Sequence, residues 1–229
     1  MNGKPKSRFW IGLLAGVIAG TVYGQGTFQN LNFESATLVP IVGDPFGRVE
    51  FAPAFPGWVG YIGTNAQTVA DHNNRSLSEP GIAIMGPDYP APNSFEGHFY
   101  ARLYLAFPGP PVGAALAQTG TVPADAVSIR FYAGSFDTPF LYFAGQQIPV
   151  SVLQTTPAYT VYGGNISAFA GQTVELRFEG PLTFDNILFS PEPIPEPSAV
   201  GLIALGALLL GWRFVRGKFR AGPAERNCG

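Results

Sequence analysis

The chain has 229 residues, a formal net charge of −2 and a hydrophobic share of 46%, which leaves room for one ordinary domain between two apolar termini. Glycine (29) and proline (22) are frequent, yet aromatics reach 14%, so the chain reads as turn-rich around a real core and not as disordered. Between Gln25 and Pro197 there are fourteen carboxylates, five arginines and no lysine, a net of −9; such a domain is repelled by nucleic acid and anionic lipid, which argues against nucleic-acid binding.

Residues 1–24 have the parts of a secretory signal peptide. Lys4, Lys6 and Arg8 form the positive region and Phe9 to Ala19 the apolar one, while Val22, Tyr23 and Gly24 offer signal peptidase a small-x-small site before Gln25. Gly12, Gly16 and Gly20 would make a poor buried helix. The only cysteine, Cys228, lies at the far end. The exported part therefore has no disulfide, no cysteine nucleophile and no Cys-ligated zinc.

Residues 25–190 carry strand signals. Val127, Ile129 and Phe131 alternate with polar neighbours, as do Val174, Leu176 and Phe178, and as do Phe99, Ala101, Leu103 and Leu105. Each is a period-2 pattern with one buried face. Further strands are expected at Phe28–Phe33, Trp58–Ile62, Gly81–Met85, Phe140–Phe143, Ile148–Leu153, Tyr159–Tyr162 and Phe184–Phe189, separated by Gly, Pro, Asn and Asp. The expected fold is all-β, an antiparallel two-sheet sandwich or jelly roll. The two ends add a signal helix and a short transmembrane helix.

Residues 191–198 form a proline-rich stalk ending in Pro195, Glu196 and Pro197. Residues 199–215 follow as an apolar run, and 216–229 as a basic tail. The uncharged stretch from Ser198 makes about 22 Å of helix, short of the roughly 30 Å hydrocarbon core. Phe214, Val215 and snorkelling arginines would have to help it span. Arg213, Arg216, Lys218 and Arg220 would hold the tail on the cytoplasmic side. This order of parts resembles the PEP-CTERM sorting signal of exported bacterial proteins. The resemblance covers Pro195 to Arg220 and implies processing by a membrane enzyme, exosortase, near Pro195-Glu196-Pro197. The nine residues Ala221–Gly229 are longer than such tails usually are. A plain membrane anchor is the alternative.

Asn32-Phe33-Glu34 near the start, and Phe184-Asp185-Asn186-Ile187 after Ile166 to Phe178, look like the first and last strands of galactose-binding-like jelly rolls. That resemblance implies a structural calcium (Ca2+) between the terminal strands, with Glu34 and Asp185 as the matching carboxylates. Backbone carbonyls and waters would have to complete the shell. Both are otherwise ordinary turn or hydrogen-bonding carboxylates.

Catalytic signals are absent from the pattern. There is no Gly-x-Ser-x-Gly elbow and no phosphate loop, and the two histidines read as solvated: His72 in a polar loop, His98 on a polar strand face. Glu175 and Glu179 lie about 13 Å apart along one strand, beyond the spacing of a glycosidase pair. A cross-strand pair such as Glu96 with Asp137 stays open. For sugar binding, Tyr100, Arg102 and Tyr104 share a strand face, and Trp58 is a candidate loop platform. The tyrosines read equally as a half-buried outer face, and Trp58 as a core plug.

Three functions follow. The first is an exported non-catalytic protein of the bacterial cell surface or extracellular matrix, associated with exopolysaccharide. The second is a lectin-like carbohydrate-binding module. The third, a glycan-active enzyme, has no positive support.

Overall fold

The computed structural model describes residues 24–73, 79–89, 95–105, 113–134 and 137–195. The signal segment before Gly24, and Glu196 with all that follows it, lie outside the described residues. Of the sorting residues only Pro195 is described.

In chain order the strands are β1 (Val49–Glu50), β2 (Val59–Ile62), β3 (Asn65–Ala66), β4 (Val69–His72) and β5 (Gly81–Met85). Then come β6 (Tyr100–Tyr104), β7 (Ala114–Thr121), β8 (Ser128–Ala133), β9 (Phe140–Phe143) and β10 (Gln146–Ile148). The last are β11 (Val150–Thr155), β12 (Thr160–Asn165), β13 (Thr173–Glu179) and β14 (Leu182–Ser190). A single helical turn, α1 (Phe51–Ala54), follows β1.

These strands make two sheets. One has eight strands in the order β1-β4-β5-β6-β14-β8-β12-β11, and the other six in the order β10-β9-β13-β7-β2-β3. Pairing is antiparallel except between β4 and β5, which run parallel. The inner faces meet through aromatic rings. Phe178 on β13 lies 5.1 Å from Phe131 on β8 and 4.6 Å from Phe184 on β14, so one side chain joins both sheets. Ile129, Phe131, Leu176, Phe178, Phe184 and Phe189 are all buried, as period-2 reading of β8, β13 and β14 requires. The protein is an all-β two-sheet sandwich.

Four expectations need correction. Phe28–Phe33 is not a strand but a run of turns, because Asn30 and Phe33 adopt left-handed backbone with φ of 49° and 56°; its Phe28, Leu31 and Phe33 are nevertheless buried. Ile148–Leu153 is two strands. Pro149, which has no amide to give a ladder, marks the point where the chain leaves the six-stranded sheet for the eight-stranded one. β7 was not expected, since Ala114-Ala115-Leu116-Ala117 has little strand propensity, yet it sits between β13 and β2. Its small side chains suit a strand buried at nearly every position. Finally, His72 ends β4 instead of occupying a loop, and its Nε2 is buried without a hydrogen-bond partner.

Candidate functional site

The last strand and the opening turns meet at one place. Against β8, the register of β14 shifts between Asp185 and Leu188, and Asn186 has φ of 48°, a local irregularity of the bulge kind that re-aims side chains. Just beyond it, the Ile187 amide donates to the Leu31 carbonyl at 2.9 Å. This ties the end of the domain to the segment that carries Glu34.

Glu34 is held by backbone. Its Oε1 accepts hydrogen bonds from the amides of His98 (2.7 Å) and Phe99 (2.8 Å). Gly97 makes this approach possible: its φ is +75°, and a Cβ there would lie 2.3 Å from the same Oε1. The segment leading into β6 is thereby fastened to the opening turns across more than sixty residues of sequence.

Asp185 has no exposure to solvent. Its Oδ1 accepts from the Asn186 amide at 2.7 Å, and its Oδ2 is buried with no partner. Burial pushes its pKa up from 3.8 to about 8; the Asn186 amide lowers it, and the charges of Glu34 and Glu96 raise it further. An unpartnered oxygen facing a negative field is the electrostatic setting a cation relieves, and in that respect the residues fit the calcium implied by the resemblance. Among the described residues, however, no three His, Cys, Asp or Glu side chains gather as a metal-holding group. A calcium here would rest on Glu34 and Asp185, with backbone carbonyls and water supplying the other oxygens.

Beside this pair, Asn186 reaches outward. Its Nδ2 donates to Glu96 Oε2 at 2.8 Å, and its side chain lies close enough to Tyr132 to influence the phenol. Tyr132 stacks on Tyr159 with ring centres 4.3 Å apart. Burial, then the Glu96 charge, raises the Tyr132 pKa. A cavity of about 230 Å³ adjoins Glu96 and is lined also by Tyr89, Phe95, His98 and Tyr100. Aromatic walls with a carboxylate and an imidazole at the mouth can hold a small polar ligand such as one sugar ring.

The sugar-binding candidates are placed differently from expectation. Tyr100 and Tyr104 are buried, at 6% and 7% exposure. They pack with Ala83, Met85, Tyr89 and Phe95 under the segment that precedes β6. Gly81 makes room for Tyr104, since a Cβ there would come within 2.5 Å of its ring. Arg102 is half-buried between them. Among the described residues no open row of rings is left along β6 for a glycan lying on the sheet, and Tyr100 lines the cavity beside Glu96. Trp58 is a core residue at 4% exposure, with its indole N–H donating to the Asn30 carbonyl and its ring 5.8 Å from Phe33. It is a plug, not a platform.

Other candidates are committed elsewhere. Asp137 Oδ2 accepts the Thr183 amide at 2.7 Å, while Glu96 holds Asn186, so each serves a structural bond. His98 is exposed at the cavity mouth. Sequence reading missed Glu96, Asn186, Tyr132 and Tyr159 as a group. The signal for Asn186 was its position after a lone carboxylate inside an apolar strand.

No family model matches the chain, and no curated protein does. Solved structures resemble it, two cyclases among them. One is a cyclase from Fischerella sp. TAU, 18% identical, covering 74% of this chain and 97% of its own, with a TM-score of 0.44. The other is the apo form of a cyclase from Fischerella sp., also 18% identical, covering 75% and 97%, with a TM-score of 0.39. At that identity and those scores the likeness carries no activity to this chain.

Proposed function

We propose that the chain is an exported, non-catalytic protein of the bacterial cell surface or extracellular matrix. It is sorted through a PEP-CTERM tail read by an exosortase-type enzyme, and its domain, a galactose-binding-like jelly roll, associates with exopolysaccharide. The observation that carries the reading is the sequence order of stalk, Pro195-Glu196-Pro197, uncharged run and basic cluster. The domain's exit supports it. β14 is the last strand among the described residues and ends at Ser190, and the stalk base is pinned by Arg130 to Glu192 (3.0 Å) and by Ser128 Oγ donating to the Glu192 carbonyl (2.7 Å). Pro193 and Pro195 beyond it are exposed, which suits access by a processing enzyme. In producing cells, Glu196→Ala should leave the chain uncut in the membrane fraction while wild type is processed. Equal processing of both would count against sorting through this motif.

A lectin-like role is the second reading, and the cavity beside Glu96 and Tyr100 favours it. The ligand would be a single sugar unit or chain end, since 230 Å³ does not admit a longer stretch.

A further inference from the structure

The stalk does not leave the domain where β14 ends. Ser128 on β8 and its cross-strand neighbour Ser190 on β14 lie on the outer face of the eight-stranded sheet, opposite the inward Ile129 and Phe189, yet both are buried. The stalk lies over them. Ser128 Oγ donates to the Glu192 carbonyl at 2.7 Å, and the Glu192 amide donates to Ser190 Oγ at 3.1 Å. Arg130, two residues along the same face of β8, holds the Glu192 carboxylate at 3.0 Å.

Beyond Glu192 the face offers a niche. Gly163 on β12 stands opposite Arg130 and is buried. A Cβ there would come within 2.5 Å of Ile194 Cδ1 and 2.7 Å of Leu153 Cδ1. The bare backbone at 163 thus lets the half-buried Ile194 rest on the sheet beside β11. Residues 191–194 form a strap that crosses β14, β8 and β12 in the order in which the sheet holds them.

The strap fixes how far the domain can stand from the apolar run that starts at Ala199. With Ile194 docked, five residue steps separate the two, at most about 18 Å of extended chain. With the strap released the free chain begins at Ser190, and the reach rises to about 32 Å. Pro193 and Pro195 are open to solvent, but an enzyme in the membrane must also fit between the domain and the bilayer.

We infer that the strap governs the rate of tail processing: docked, it holds the domain over the Pro195-Glu196-Pro197 segment and slows cutting, and released, it admits the enzyme. This rests on the sorting reading and adds a regulation to it. The contacts suit a strap that opens. Glu192 is 61% exposed in its ion pair with Arg130, a kind of pair that contributes little, so the strap can lift while the sandwich stays folded.

Pulse-chase of tail processing in producing cells tests it. Gly163→Val fills the niche and leaves Pro195-Glu196-Pro197 intact; the strand backbone accepts valine, and the atoms it displaces are the ends of flexible side chains. It should shorten the half-time of processing several-fold, and Arg130→Ala should shorten it less. A short Gly/Ser insertion between Ile194 and Pro195 keeps the strap and the spacing from motif to membrane while moving the domain away. It should speed processing as much as Gly163→Val does, and it decides the question should Gly163→Val fail to fold, which melting curves show. Folded variants processed at the wild-type rate, or more slowly, would overturn the inference and leave sorting through the motif standing. A wild type that is never cut would remove the sorting reading, and this inference with it.

Discussion

Metal-free protein loses stability as the pH is raised from about 4 to about 8. The cause is Asp185, whose carboxyl gives up its proton near 3.8 in the unfolded chain but near 8 in the fold. Between those values the folded state holds a proton that the unfolded state has released, so each step up in pH favours unfolding. The contribution is fully present below 3.8 and gone once the pH passes about 8, and it amounts to on the order of 5 kcal/mol across the window. Melting temperature against pH in chelator shows it. Asp185→Asn, which keeps the shape and cannot ionise, should flatten that curve and make the metal-free variant the more stable protein at pH 8. Calcium should restore wild type at pH 8 and leave Asp185→Asn little changed, since a cation offsets the buried charge that only wild type carries. A wild-type curve that is flat in chelator would contradict the placement of Asp185. A sloping curve untouched by calcium would retain the buried acid and remove the metal.

The second large effect is at Trp58. Trp58→Ala removes a buried ring that meets Phe33 and an indole N–H that fastens the Asn30 turn. Truncation of a buried tryptophan costs about 3–5 kcal/mol, and the Asn30 carbonyl is left with the Phe33 amide, at 3.3 Å, as its remaining donor. The expected result is a large fall in denaturant midpoint at unchanged slope. A loop platform for sugars would behave otherwise, keeping its stability and losing only retention on a glycan. That outcome would return Trp58 to the surface.

What could be read from the sequence followed from where one physical signal dominates. β8, β13 and β14 lie inside their sheets with one face on the core, so alternation alone marks them. β7 was hidden because alanine and glycine carry neither alternation nor propensity, and only the crowding of its neighbours explains them. The opening segment has an apolar composition like a strand's, but the left-handed residues Asn30 and Phe33 are set by tertiary contacts that no local pattern announces. At the site, Glu34 and Asp185 were singled out by the resemblance of their segments to the terminal strands of galactose-binding-like jelly rolls. Their partners were not: Glu96 lies ninety residues from Asn186, and Tyr100 and Tyr104 read as an outer face because the segment covering them has no strand signal of its own.

Export and tail processing are the central claim, and the intact mass of the protein recovered from its native envelope and medium tests it most directly. The account predicts a species that begins near Gln25 and ends near Pro197, or one that carries added mass at that new end. A species that still ends at Gly229 would contradict it, and the same residues would then be a permanent membrane anchor.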